Sequence, residues 1–376
     1  MISSLSDRSE YEALQDNTYL NQASLGLIGC NSVAAMHKFL DEVAQYGNLY
    51  MSDEDEVNYF KPVRGLISKL LKCEPNRVAI TSGASEILGQ TPYLFTPGSE
   101  DEIILVSTDF PAVTRPWVSY SRKVGCKLIF IKDNKINSLT EEIIKHIKGN
   151  TAVIAVSHVQ FSTGTKIDVR RVREAMPSNT KLVVDVTQSA GVVPIDPVEW
   201  KADIIVSSGY KWLEAHGGVG IAIFSKALLK EKPILIGWMS APEPFIMMAK
   251  KDDLALGARR YTLSTMSYLS IKSLEKSLQK ILELGVENIA AHVTSLGKKF
   301  SEELDSCNWK QFRSSGDASA SSHIVSLSKS NIDLSKTFER LKEHKLYCSL
   351  RNNRLRVSIA HYNNEEDLLK LVELLK

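Results

Sequence analysis

Seven short runs rich in β-forming apolar residues recur between residues 78 and 224. They cover 78–81, 103–107, 127–131, 152–157, 181–185, 203–207 and 219–224. Several are apolar throughout rather than alternating, which is how strands read when both faces of a sheet are covered. Helical segments at 85–94, 112–123, 139–147 and 169–175 fit between them. Strand, helix, strand repeated in this way restricts the chain to an α/β domain with a mainly parallel sheet.

Near residue 255 the pattern changes. The spacing predicts one long helix over 263–284 and another over 286–304. A strand at 324–328, a helix at 334–344, strands at 346–350 and 354–359 and a final helix at 365–375 follow. The Asn352–Asn353 pair is a hairpin turn signal. A chain of 376 residues is long enough for two domains. The expected division is a large domain over 15–255 and a smaller α+β domain over 256–376 together with 1–14.

Lys and Arg number 46 against 44 for Asp and Glu, a net charge of +2. That balance argues against nucleic acid as a main partner. No apolar run approaches a membrane span. Asp7, Arg8 and Glu10 stand where a secretory signal would need an apolar stretch. The five cysteines are scattered without a CxxC pair, so neither a metal site nor a disulfide framework is expected. A reducing cytoplasm is the expected location.

Open parallel sheets bind ligands at the carboxyl ends of their strands. After the first run comes Ser82-Gly83-Ala84-Ser85-Glu86. Small residues opening a helix let backbone N–H groups approach an anion, although by itself the segment reads more simply as an N-cap from Ser82 or Ser85. Asp185 ends another run, with Gln188 soon after. Ser207-Ser208-Gly209-Tyr210-Lys211-Trp212 follows the next. A lysine between aromatics, partly desolvated, tends to a lowered pKa and can act as an amine nucleophile. An isolated loop lysine is ordinarily a surface group. The combination of anion cradle, carboxylate and lysine at strand ends is what pyridoxal phosphate requires. The lysine holds the aldehyde and the carboxylate keeps the ring nitrogen protonated. His216-Gly217-Gly218-Val219-Gly220 precedes a strand instead of following one, so a dinucleotide loop fails its context. His158, at a strand end, reads as structural.

On these segments the chain resembles the class V aminotransferases of the fold-type-I pyridoxal-phosphate enzymes, a group with cysteine desulfurases, kynureninases and isopenicillin-N-epimerase-like proteins. The resemblance starts near Tyr19 and runs to the C-terminus. It is carried by Tyr19-Leu20-Asn21-Gln22-Ala23-Ser24, the 81–86 turn, Asp109-Phe110-Pro111, Ser157-His158-Val159-Gln160, the segment from Asp185 to Gly191, Ser208 to Leu213, and Arg356-Val357-Ser358. It implies a fold-type-I architecture, with a large domain on a seven-stranded mainly parallel sheet and a small C-terminal α+β domain. Lys211 matches the family's Schiff-base lysine and Asp185 its pyridinium partner. Gln188 matches the residue on the ring hydroxyl, with Gln160 a second candidate there. Ala84, Ser85 and Ser208 match the phosphate turn. Tyr210 stands where desulfurases have a phosphate-binding histidine, and Phe110 where a side chain stacks on the ring. Arg356 matches the arginine for the substrate α-carboxylate. Ala23 and His216 are further substrate-side candidates, His216 in place of a common proline. Thr265 aligns with a threonine that reaches the neighbouring subunit's phosphate, which implies a homodimer with shared active sites. Its context departs from the family's Gly-Thr-Pro, being Ser264-Thr265-Met266.

The expected activity is that of a class V aminotransferase or a C–S/β-lyase on an amino acid. Desulfurase-like or epimerase-like chemistry is the alternative. Cys348 lies shortly before Arg356 inside an expected strand, and 314–322 holds no cysteine, so neither desulfurase loop is in evidence. A catalytically silent binding or assembly protein is the third reading. The intact set Asp185, Gln188, Lys211 and Arg356 speaks against it.

Overall fold

The computed structural model describes residues 1–49 and 51–376. Seven strands form one sheet: β1 (Val78–Thr81), β2 (Glu102–Val106), β3 (Lys127–Ile131), β4 (Thr151–Ser157), β5 (Lys181–Asp185), β6 (Ile204–Ser208) and β7 (Gly220–Phe224). Their order is β1-β7-β6-β5-β4-β2-β3. β7 runs antiparallel to both neighbours, and the remaining pairs are parallel.

Alternate residues of the inner strands feed two separate cores. Ile104, Val106, Ile154, Val156 and Val184 face one of them. Ile103, Leu105, Val153, Ala155 and Val183 face the other. This two-sided burial explains why the sequence runs apolar without alternation. The edge strand β3 is open on part of its surface, with Phe130 44% exposed.

Two expected helices have different limits. Residues 85–94 form two helices, Ala84–Leu88 and Thr91–Phe95. Pro92 opens the second, because a residue without an N–H suits a helix start and not its interior. The helix expected over 263–284 begins only at Tyr268, capped by the Ser267 side chain accepting from Ser270 N–H. The residues before it are held elsewhere. The Leu263 carbonyl accepts from Met239 N–H at 3.3 Å. It also sits so near Gly237 that a Cβ there would lie 1.8 Å away. The apolar spacing of 263–266 serves a loop contact, not a helical turn.

Helices Cys30–Tyr46, Asp53–Asn58 and Lys61–Leu70 precede the sheet and had no counterpart in the sequence reading. The first and third pack on Tyr268–Leu284, which buries Ile271, Leu274, Leu278 and Ile281 along one helical stripe. The C-terminal region is a four-stranded antiparallel sheet, in the order Ser349–Arg351, Arg354–Ser358, Ile324–Ser328, Lys310–Gln311. Asn352 and Asn353 turn its hairpin at φ of 49° and 55°, a backbone region asparagine tolerates better than most residues. The start of the chain joins this region. Thr18–Tyr19 pairs in parallel with Leu346–Tyr347, Leu5 N–H donates to the His361 carbonyl at 2.8 Å, and Arg8 pairs with Asp367 at 2.8 Å. Among the described residues no helix is long and apolar enough to cross a membrane.

Candidate active site

The carboxyl ends of β1, β4, β5 and β6 open onto one cavity of about 260 Å³. Its walls are the Ser82–Glu86 turn after β1, Ser157 at the end of β4, Asp185, Thr187 and Gln188 from β5 onward, and Ser208, Tyr210 and Lys211 from β6, with Phe110 and Phe161. Segments far apart in the sequence meet there because parallel strands deliver all their carboxyl ends to one edge.

Lys211 is 6% exposed. Its Nζ lies 5.1 Å from the Phe110 ring centre and 5.6 Å from that of Tyr210. Among the described residues it has no hydrogen-bond partner. Burial pushes its pKa down to about 8, with Asp185 opposing and Arg356 and Arg351 assisting. A fraction of neutral amine therefore exists near neutral pH, as a nucleophile needs. Asp185 is buried, and its Oδ1 accepts from Thr187 N–H at 2.8 Å. Its other oxygen accepts no bond from the described residues. Burial raises its pKa, while the Thr187 bonds and Lys211 pull it back.

Behind this pair lies a second buried carboxylate, Asp109. It accepts from Ser157 Oγ at 2.5 Å, Ser157 N–H at 2.7 Å, Phe110 N–H at 2.7 Å and Gln160 Nε2 at 3.2 Å. Burial lifts its pKa to about 6, the Ser157 bonds opposing and Asp185 assisting. Asp109 thereby fixes the backbone of Phe110 and the amide of Gln160. Gln188 accepts from Trp212 Nε1 at 2.8 Å and donates to the Ala23 carbonyl at 3.0 Å, which leaves one amide N–H unused.

The simple N-cap reading of the 82–86 turn does not hold. Ser82 Oγ donates to Glu86 at 2.6 Å, and the capping position is Gly83, with no side-chain bond. The leading N–H groups have no partner in their own helix. The one at Ala84 reaches Ser208 Oγ at 3.4 Å. A Cβ on Gly220 would lie 2.7 Å from Gly83 Cα, so only glycine lets β7 abut this turn.

Ala84, Ser85, Phe110, Asp185, Gln188, Ser208, Tyr210 and Lys211 thus come together. Gln160 sits fully buried behind the wall. Ala23 contributes backbone, its N–H donating to Ser358 Oγ at 3.1 Å. Arg356, 1% exposed, does not line the cavity and sits behind its wall, donating to the carbonyl of the lining residue Phe161 at 2.8 Å and to Ser24 Oγ at 2.5 Å. Among the described residues its Nε has no partner. Two expected residues stand apart from the cavity of their own chain. Thr265 is exposed and donates to Glu56 at 3.3 Å. His216 is exposed with Nδ1 2.9 Å from the Gly217 carbonyl. His158 is structural as read, buried with Nδ1 2.9 Å from Ser189 Oγ.

Thr187, Phe161, Ser157 and Asp109 escaped the sequence reading as site residues, although Thr187, Ser157 and Asp109 lie within segments already marked and Phe161 directly follows one. Glu214 carried no signal at all. It is 3% exposed with φ of 53°. It accepts from Tyr11 at 2.7 Å, His361 Nε2 at 2.8 Å and Gln22 Nε2 at 3.3 Å. Gln22 Nε2 also donates to the Lys211 carbonyl at 3.0 Å. A Cβ on Gly26 would lie 2.2 Å from that same carbonyl.

The class-V aminotransferase model matches residues 19–371. The chain belongs to the aminotransferase class-V family. It is 25% identical to an uncharacterized aminotransferase, YcbU, of Bacillus subtilis (strain 168), over 97% of this chain and 95% of that one. It is 24% identical to a kynureninase of Bacillus cereus, over 98% and 90%. Its fold superposes on C-DES, solved as a mutant with glycine covalently linked to its PLP cofactor, with a TM-score of 0.88 at 18% identity, covering 98% and 99% of the two chains. This class-V member is a pyridoxal-phosphate-dependent enzyme, a transferase or a lyase.

The residues fit that cofactor. A buried amine lacks a partner, a buried carboxylate keeps one oxygen open, and a short turn presents unfilled N–H groups beside Ser208. When bound, the cofactor supplies an electrophilic carbonyl and a ring that accepts electrons from the substrate Cα. The residues that would hold it are Asp185 beside the ring nitrogen, Ala84, Ser85 and Ser208 around the phosphate, and Lys211 at the carbonyl.

Proposed function

We propose that the chain acts on an amino acid through covalent attachment of its cofactor to Lys211, as a class V aminotransferase or a C–S/β-lyase. The observation that carries this reading is the pairing of Lys211 and Asp185 across one cavity, with both groups buried and neither fully bonded. Arg356 binds the α-carboxylate. Lys211 Nζ, lying beside the Phe110 face, moves the proton at the substrate Cα. Tyr210 donates to the phosphate in place of a histidine.

The lyase branch is favoured over persulfide transfer by Cys348. It is 4% exposed, and burial pushes its thiol up to about 12, so it offers no thiolate. A structural neighbour, C-DES, is a cystine C–S lyase. A homodimer, with Thr265 directed at the neighbouring cofactor, accords with the exposed apolar side chains of Ile234, Leu235, Ile236, Trp238, Met247 and Met248.

The test is reduction of the yellow holoprotein with borohydride, followed by peptide mass analysis. The cofactor mass is expected on Lys211, and its appearance on another residue would overturn the assignment. Incubation with an amino-acid panel, assayed for keto acid, pyruvate with ammonia, sulfide and racemised product, separates the reactions. Sulfide release that persists in Cys348→Ala supports elimination.

A further inference from the structure

Two arginines converge on one neutral oxygen behind Phe161, a residue of the cavity wall. Arg356 Nη2 donates to Ser24 Oγ at 2.5 Å, and Arg351 Nη2 donates to the same atom at 3.2 Å. Their remaining bonds go to carbonyls, that of Phe161 from Arg356 and that of Leu350 from Arg351. Among the described residues neither guanidinium has a carboxylate partner within ion-pair distance. Arg356 is buried, with its Nε unbonded.

Two guanidinium groups side by side, with only uncharged acceptors, repel each other, and burial denies Arg356 the water that would screen the repulsion. Both also act on the Lys211 amine, so three cationic groups share this end of the site. Asp185 answers Lys211. Asp109 is occupied by Ser157, Phe110 and Gln160. A single α-carboxylate neutralises one arginine and leaves the other.

We propose that Arg351 forms, with Arg356, a two-anion clamp that selects amino acids carrying a second carboxylate or other oxyanion at the end of the side chain. Arg356 takes the α-carboxylate and Arg351 takes the distal group. Ser24 holds the two forks in place until substrate enters, and its hydroxyl is released when the anions bind. The hairpin turn at Asn352–Asn353 fixes Arg351 and Arg354 as cross-strand partners, with Arg356 opposite Ser349. Both forks of the clamp are therefore borne by one hairpin. This inference rests on the amino-acid reading above.

Calorimetric titration of the holoenzyme with glutarate and with pentanoate, ligands of equal chain length and unequal charge, tests the clamp without turnover. Glutarate is expected to bind about tenfold tighter or more, since a charge-assisted bidentate contact is gained. In Arg351→Met that advantage vanishes while pentanoate binding is unchanged. Arg351→Lys retains part of it, and thermal melts verify that both variants fold. Equal binding of the two ligands by wild type, or equal weakening of both in Arg351→Met, would overturn the clamp, the second result assigning both arginines to one carboxylate. With substrates, Arg351→Met should raise KM for dianionic amino acids far more than for neutral ones. Neutral amino acids turned over as well as dianionic ones, by both proteins, would sink the clamp and leave the amino-acid reading intact. Glutarate selectivity in an enzyme that turns over no amino acid would do the reverse.

Discussion

Two buried polar clusters lie on either side of one short stretch of chain, and they are finished differently. Around Glu214, the donors from Tyr11, Gln22 and His361 converge on a single carboxylate. Around Lys211, the amine lies beside two aromatic faces with no hydrogen-bond partner among the described residues, and Asp185 has one oxygen open. Buried polar groups ordinarily find partners inside the protein. The first cluster obeys and behaves as scaffold. The second does not, and its missing partners define the ligand. A satisfied buried network rigidifies a fold, whereas an unsatisfied one carries a cost that only binding removes.

The sharpest way to break this comparison is to delete one member of each cluster. Lys211→Ala should lower turnover by about 10⁴-fold or more, since a covalent nucleophile has no substitute. It should leave the melting temperature of the cofactor-free protein unchanged or higher, because the amine has no hydrogen bond to lose and its desolvation outweighs the attraction of Asp185. Glu214→Ala should do the opposite. Losing the acceptor strands three buried donors and costs about 3 kcal/mol in urea unfolding. If the two variants destabilise equally, the distinction between scaffold and ligand site fails.

How much of this was legible in the sequence follows from the range of each interaction. Strands β1 to β7 could be read because two-sided burial is written residue by residue into Val183 and Val184 or Ile104 and Leu105. Lys211, Asp185, Gln188 and the 82–86 turn could be read because each lies just beyond such a strand. Glu214 could not, since its partners Tyr11 and His361 are separated from it by most of a domain in sequence, and nothing local marks an acid that will be buried. The proposed role of Arg351 had no local sequence signal for the same reason, its partner Ser24 lying more than 300 residues earlier. The start of the Tyr268 helix was misplaced because Leu263 obeys a contact with the 237–239 segment that periodicity does not show.

A smaller effect sharpens the comparison at the seam between the clusters. Gly26→Ala places a methyl against the Lys211 carbonyl. It should cost about 1–3 kcal/mol by overpacking and should lower kcat with the displaced lysine. An unaltered kcat would show that the 22–26 segment supports the fold and not the amine.

The smallest effect is in pH. Lys211 has a folded pKa of about 8 against 10.5 for the free side chain. Between those values the unfolded chain holds the proton that the folded chain has released. The cofactor-free protein should therefore gain stability as pH rises through that window and lose it again as pH falls toward 8. The rate of cofactor capture should rise about tenfold per pH unit up to about 8 and then level off. Stopped-flow absorbance across pH checks the rate, and a profile flat below pH 8 would contradict the lowered value.

The joining of the chain's first and last segments bears on how the enzyme is made. Residues 18–26 precede the sheet in the chain, yet Thr18 and Tyr19 pair with Leu346 and Tyr347, and Gln22 accepts from Tyr362. The seven-stranded sheet can assemble from residues 78–224, whereas the brace behind the Lys211 turn cannot close without residues 346–362. The turn that carries Lys211 is therefore braced by contacts of very large sequence separation, which close later in folding than the local pairings of the sheet.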